Sequence, residues 1–236
     1  MNGPILAIDT AGSRCSVALV AGDGRALAAR DPDLGRGHAE RLMGLVGEVL
    51  EEAGAAYGDL SRIAVSVGPG SFTGLRVGVA AARGLALALG LPVVGVSTLE
   101  ALAEPFRADG PTLAAIDAKR GEVWLAGFGP DDAVFLLPIA VALDGLPGAL
   151  EALPVPAVVA GSGASILAAS FPGARVENGE GRVDVVALAR IAMRRSAGEP
   201  PRPLYLRGAD AKPQRSGLSV RDSRDPDLAP TGPGGR

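Results

Sequence analysis

The residues best suited to chemistry are two aspartates that close apolar runs, a basic pair just beyond the second of them, and two glycine-rich turns. Asp9 ends "ILAID" and Asp117 ends "LAAID". A carboxylate at a strand end facing a cleft can hold a magnesium ion or its water, or simply bond the backbone of the turn that follows. Lys119 and Arg120 in "DAKRGE" could meet a phosphate, although such a turn is more often just solvated. The first glycine turn, "VGPGSFTG" at 67–74, enters a helix, where unpaired N–H groups and the helix dipole favour an anion. Its spacing fits neither phosphate-loop fingerprint. A Walker A loop needs a Gly-Lys pair, and no lysine lies in 67–90; a dinucleotide loop places glycines at 68, 70 and 73, whereas Thr73 stands there and the glycine follows as Gly74. On the motif alone, Gly68 and Gly70 supply tight-turn geometry and Ser71 caps the helix.

Other chemistries lack parts. His38 is the only histidine, which excludes a histidine-pair metal site and a Ser-His-Asp constellation within one chain. Cys15, also alone, sits in an apolar alternating run and reads as a small buried hydrophobe; no internal disulfide framework exists. With 23 Lys and Arg against 26 Asp and Glu, the net charge of −3 gives no broad electrostatic drive toward nucleic acid. Contact with RNA would be local or made through another subunit. The N-terminus has no basic n-region, and the uncharged run 152–174 is broken by Pro154, Pro156, Gly161, Gly163, Pro172 and Gly173. Neither a signal peptide nor a membrane span is expected, and the expected location is cytoplasmic.

The elements that must position these residues follow a pattern that repeats. Short β-type runs at 5–9, 15–20 and 25–29 predict an antiparallel meander, followed by a helix over 38–53, a strand over 62–67, a helix over 71–89 and a strand over 92–96. Ser97 can cap a short helix. A second meander is predicted at 113–117, 122–128 and 133–138, then a weak helix over 146–153, a strand over 157–160, and helices near 166–170 and 184–195. "AID" recurs at the end of each first strand, and "VGPGS" and "AGSGAS" each join a strand to a helix. These echoes predict a duplicated α/β fold.

Two helices carry more apolar surface than one sheet face obviously consumes. Residues 72–89 are apolar or small almost all round, with Arg76 and Arg83 on one narrow stripe, and 38–53 shows an apolar arc wider than the roughly 100° of an ordinary surface helix. Either the pair cover each other, or they form a subunit interface.

The stretches "ILAIDTAGSRCSVAL", "VGPGSFTGLRVGVAAARGLALALGLPVVGVSTLEALA", "AIDAKRGEVW" and "YLRGADAKP" resemble the TsaB/YeaZ family, bacterial subunits of tRNA threonylcarbamoyladenosine biosynthesis, in register from Ile5 to about Pro213. The resemblance implies a duplicated actin-like ATPase (ribonuclease H-like) fold of two βββαβα-type halves, here 1–109 and 110–207. The remaining 208–236, rich in Gly, Pro and Ser with hardly any apolar residues, is expected to be a largely disordered tail, unordered beyond about Arg215. It implies a non-catalytic scaffold that pairs with the related catalytic TsaD subunit and works with the ATPase TsaE and with tRNA, or forms a homodimer when alone. The catalytic relative carries a metal-gripping histidine pair where this chain has Thr98 and Leu102, so no metal site is expected. Pairing through N-terminal helices assigns the interface to Leu42, Leu45, Val46, Val49, Arg76, Val79, Ala80 and Arg83. Asp9, Gly68, Gly70, Lys119, Arg120, Gly161 and Gly163 would line a vestigial nucleotide cleft; no cofactor is required, and residual nucleotide or magnesium binding stays open. The alternative is an autonomous ATPase or sugar-type kinase using Asp9 and the cleft. Peptidase activity, suggested by an older family name, lacks a nucleophile and base.

Overall fold

The computed structural model describes residues 3–206; the expected tail over 208–236 lies outside them. β1 (Ile5–Asp9), β2 (Ser16–Val20), β3 (Ala26–Arg30), β4 (Arg62–Gly68) and β5 (Val93–Ser97) form one mixed sheet in the order β3-β2-β1-β4-β5. β6 (Thr112–Lys119), β7 (Glu122–Phe128), β8 (Val134–Ala142), β9 (Val158–Ala160) and β10 (Arg175–Glu177) form a second in the order β8-β7-β6-β9-β10. The two orders are the same. In each, the first three strands pair antiparallel, the first pairs parallel with the fourth, and the fourth parallel with the fifth. The duplicated α/β architecture is thus one ribonuclease H-like strand order used twice.

Burial follows from composition. β1 and β2 are apolar almost throughout and buried at every position, as strands covered on both faces must be. On the outer face of the first sheet, α1 (His38–Glu52) and α2 (Phe72–Leu89) pack over Leu6, Ile8, Val17, Leu19, Ile63 and Val65. α4 (Leu146–Glu151) and α5 (Ala164–Leu167) cover the second sheet in the same way, over Leu113, Leu125 and Val159. The helices between the sheets are exchanged: α3 (Thr98–Ala103) packs on β6 and β7, while α6 (Val185–Arg194) packs on β1 and β2. Their shared core is rich in alanine, including Ala7, Ala18, Ala64, Ala114 and Ala126, with Leu99, Leu102, Leu188 and Ile191 between them. Small side chains let the layers approach closely, and neither half could bury this surface alone.

Charges fasten the far edge of that core. Arg107, itself buried, donates to the Gly129 carbonyl at 3.0 Å and lies 3.4 Å from Glu104 and 3.1 Å from Asp132. Arg194 reaches the same two carboxylates, and Arg195 bonds both oxygens of Glu100. Buried Arg62 on β4 donates to the carbonyls of Ala192 and Arg195, satisfying the C-terminal end of α6.

Several local expectations change. β8 continues through Pro138 to Ala142, because an edge strand with a register shift opposite Leu125 to Gly127 can accommodate a residue without N–H. β10 is absent from the sequence reading; "RVE" is too short and polar to show a period. Ser97 precedes α3, yet its hydroxyl donates to the Gly68 carbonyl at 3.3 Å instead of capping the helix.

Candidate functional site

The two halves enclose a cleft of about 390 Å³, between the strand ends of β1 and β6 and the loop that leads into α6. Asp9, Gly70 and Lys119 of the expected cleft residues line it, together with Asp117 and Ser162. Gly68, Gly161 and Gly163 sit in the turns behind the wall, and Arg120 is not among the lining residues. The sequence reading missed Arg14, Thr98, Glu180 and Arg182, which complete the walls.

Most of the cleft's charges are already paired. Lys119 Nζ lies 2.7 Å from Asp117 Oδ2, and its backbone N–H donates to Asp117 Oδ1 at 2.8 Å, which holds the Asp117 carboxyl below the usual range. Arg14 pairs with Asp31 at 2.7 Å, and Arg182 reaches the other Asp31 oxygen at 2.5 Å. Asp9 is almost fully buried; burial pushes its carboxyl up, against the Ser66 hydroxyl and the Ala11 N–H, which donates to it at 3.2 Å. Among the described residues, Thr98 Oγ1 is buried without a hydrogen-bond partner.

The glycine-rich turn is packed against the β1–β2 turn. The Ser71 N–H donates to the Ala11 carbonyl at 2.7 Å, Gly74 N–H to Ser71 Oγ at 3.3 Å, and Leu75 N–H to the Ser71 carbonyl at 2.9 Å. Thr10 then inserts its hydroxyl against α2, donating to the Gly74 carbonyl at 2.7 Å. A Cβ on Gly70 would come within 2.5 Å of the Ala11 carbonyl oxygen, and one on Gly74 or Gly78 would overlap Thr10. These glycines let the β1–β2 turn press against the start of α2. Gly161 and Gly163 do the same in the second half, beneath Ala115 and the Ile116–Asp117 peptide. Ser71 caps α2 as its position predicts.

Two expected loners are placed. Cys15 is buried, which pushes its thiol up to about 11. His38 Nε2 lies 3.1 Å from the Arg14 carbonyl oxygen at the start of α1.

The proposed interface needs correction. Leu42, Leu45, Val46, Val49 and Val79 are enclosed within the chain's own core, because the sheet face beneath α1 and α2 takes up these side chains completely. Arg76, Ala80 and Arg83 are exposed. Around them the structure adds Phe72, 49% exposed, Leu87, 87% exposed, Gly84, and on neighbouring α1 Met43 and Gly44. α2 is long and apolar enough by composition to cross a membrane. Here one face is core, and the other is a helix surface without a single acidic residue.

The family model of TsaD, tRNA N6-adenosine threonylcarbamoyltransferase, matches residues 32–131. The tRNA threonylcarbamoyladenosine biosynthesis protein TsaB of Escherichia coli (strain K12) is 45% identical over 131 residues, 54% of this chain and 56% of that protein. The chain thus spans about half the length of this curated relative. An uncharacterized protein of Mycobacterium tuberculosis is 37% identical over 89% of this chain and 94% of its own. Among solved structures, YeaZ from Pseudomonas aeruginosa superposes with a TM-score of 0.69 at 32% identity, covering 86% of this chain and 100% of that one.

Proposed function

The chain belongs to the TsaB/YeaZ family, and from that premise we propose that it acts in tRNA threonylcarbamoyladenosine biosynthesis as a non-catalytic scaffold. It pairs with a TsaD-type catalytic subunit and helps that assembly receive a TsaE-type ATPase and tRNA. The observation that carries the reading is the outer face of α2. Its exposed Phe72, Arg76, Ala80, Arg83, Gly84 and Leu87 form an apolar, cationic seam of small residues on a helix that needs no further packing from its own chain. Small residues allow close helix approach, and exposed aromatic and arginine side chains are those that anchor protein interfaces.

Two further observations support a supporting role. Thr98 and Leu102, at the positions of the catalytic relative's histidine pair, are core residues with 4% and 1% exposure, and Leu102 has no donor atom for a metal. The start of α2, where an anion would be received, is occupied by the Thr10–Ala11 turn.

The test is reconstitution. The purified chain mixed with the TsaD-type subunit of the same organism should elute as one complex in size-exclusion chromatography. With a TsaE-type ATPase, ATP and unmodified tRNA, it should raise threonylcarbamoylation. Neither a complex nor any gain in modification would overturn the reading.

A second reading rests on Asp9 and Asp117 lining one cleft with Lys119. An autonomous ATPase or kinase would show magnesium-dependent ATP turnover by the chain alone, abolished by Asp9→Asn. The scaffold reading requires none.

A further inference from the structure

Among the described residues, every cation that lines the cleft is bound to a carboxylate of the chain itself. Lys119 is paired with Asp117, and Arg14 and Arg182 both reach Asp31. Asp31 follows β3 and is not a lining residue; it stands behind the wall, its side chain 14% exposed, and holds both guanidinium groups. Three elements converge on this one carboxylate: the turn after β1, strand β2 and the loop before α6. Arg14 Nε donates to Oδ1 at 2.7 Å and Ser16 Oγ to the same oxygen at 2.5 Å, while Arg182 Nε lies 2.5 Å from Oδ2.

Hydrogen bonds fix this cradle on both sides. The Cys15 N–H donates to the Pro32 carbonyl at 3.0 Å, and the Leu34 and Gly35 N–H groups donate to the Ser13 carbonyl at 3.1 and 2.9 Å, so the segment after β3 is zipped to the turn that carries Arg14. Arg14 also donates to the Asp31 backbone carbonyl. Arg182 is delivered by a stapled turn, in which its N–H donates to Asn178 Oδ1 at 3.0 Å and Asn178 Nδ2 donates to its carbonyl at 2.7 Å. Gly181 in that turn adopts φ 67°, and a Cβ there would press on Ser162 at 3.0 Å.

Two guanidinium groups and a hydroxyl aimed at one planar oxyanion are the means by which proteins bind carboxylates and phosphates. Here the anion is part of the chain. Its Oδ2 is the less satisfied oxygen: it is buried, and the Arg182 charge reaches it without an aligned hydrogen bond. Asp33, whose Oδ2 lies 3.9 Å from Arg14, and Glu180 also line the cleft, but both are exposed and water screens their charge.

We propose that Asp31 is an autoinhibitory anion: it occupies the cationic end of the cleft and excludes small oxyanions, free phosphates included, that Arg14 and Arg182 would otherwise bind. The inference rests on the cleft geometry alone and stands apart from the scaffold reading. A free anion enters only by displacing a carboxylate that is tethered to the chain and so competes as an intramolecular partner. Lys119 is withheld in the same manner by Asp117, which takes both its ammonium and its backbone N–H. The cleft thus keeps the cations of an anion site without its capacity.

The test is calorimetric titration of inorganic pyrophosphate into the full chain at pH 7 and low salt. Asp31→Asn keeps the shape of the side chain and removes its charge, and should bind pyrophosphate at least about tenfold more tightly than wild type. Adding Arg182→Met to Asp31→Asn should abolish the gain. Pyrophosphate should also raise the melting temperature of Asp31→Asn and leave that of wild type unchanged. Ser16→Ala, which loosens the carboxylate without removing it, should shift binding in the same direction by a smaller factor and keeps the test available if Asp31→Asn does not fold. Equal affinity of wild type and the folded variants for pyrophosphate overturns the inference. A gain that survives Arg182→Met also overturns it, because the anion is then bound elsewhere.

Discussion

Ala11 and Ser71 are joined by a 2.7 Å hydrogen bond from the Ser71 N–H to the Ala11 carbonyl, so the turn after β1 sits on the first turn of α2. That contact explains the glycine spacing better than a phosphate does. Gly70, Gly74 and Gly78 form a stripe at four-residue intervals, and Thr10 and Ala11 press against all three.

Gly74→Ala should therefore be costly. Its new methyl group would overlap the Thr10 carbonyl oxygen, a backbone atom that cannot turn aside, and a loss of about 3 kcal/mol is expected. Gly84→Ala on the same helix meets nothing within 4 Å and should stabilise by about 0.5–1 kcal/mol through helix propensity. Urea denaturation of the two variants checks both signs. Equal effects would remove the close-packing account of the stripe.

The buried and the exposed faces of α1 and α2 should respond oppositely to charge. Val79→Glu on α2 and Leu45→Glu on α1 place an unpaired carboxylate in the core between these helices and the first sheet, at an expected cost of more than about 3 kcal/mol, and should impair folding itself. Leu87→Glu, on a side chain 87% exposed, should leave stability within about 0.5 kcal/mol while weakening association with the catalytic subunit. Thermal melts read with co-elution separate the two. A Leu87→Glu chain that still co-elutes normally would remove this end of α2 from the interface.

The succession of strands and helices and most element boundaries were legible because apolar runs of period two, broken by Gly-containing turns, leave few alternatives. β1 and β7 fall at their expected limits, Ile5–Asp9 and Glu122–Phe128. What the sequence could not show was how much helix surface a sheet face absorbs. Leu42 and Val79 look like surplus in a helical wheel, yet the wheel contains no account of Ile8, Leu19 and Ile63 beneath them. The cleft was legible only in part. Asp9 and Lys119 stand at strand ends, which sequence marks, but Arg14 and Arg182 belong to the wall only because two distant loops converge, which no local pattern records. Tyr205 was visible as part of "YLRGADAKP", while its contact with Arg76, 129 positions earlier, was not.

Asp9 should make the fold less stable when ionised. Burial raises its carboxyl above the ordinary value, so its favourable state is the protonated one. Stability tied to that proton is fully present below the unfolded carboxylate's range and is lost as pH rises through the higher folded value. Asp9→Asn, which retains an oxygen for the Ala11 N–H, should raise the melting temperature at pH 7 and have little effect near pH 3. Melting across that range checks the sign. A drop at neutral pH would mean that the charge itself is held by something in the cleft.

Asp31 should show the reverse. Burial pushes its carboxyl up, but hydrogen bonds from Arg14 and Ser16 and the charge of Arg182 outweigh it and bring the group below its usual value. Ser16 Oγ donates to Oδ1 at 2.5 Å, and Arg182 ties Oδ2 to the loop before α6, so one side chain on the β3 side joins both walls of the cleft. The stabilisation is present above the unfolded carboxylate's range and disappears as pH falls through the lower folded value. Asp31→Asn should therefore cost about 2 kcal/mol at pH 7, less than a fully buried pair because Arg14 and Arg182 remain partly solvated, and the difference from wild type should shrink on acidification. Arg182→Met removes only the loop's share and should cost less, while increasing amide hydrogen exchange over residues 178–184. If Asp31→Asn is neutral at pH 7, the pairs across the cleft mouth contribute nothing to holding its walls together.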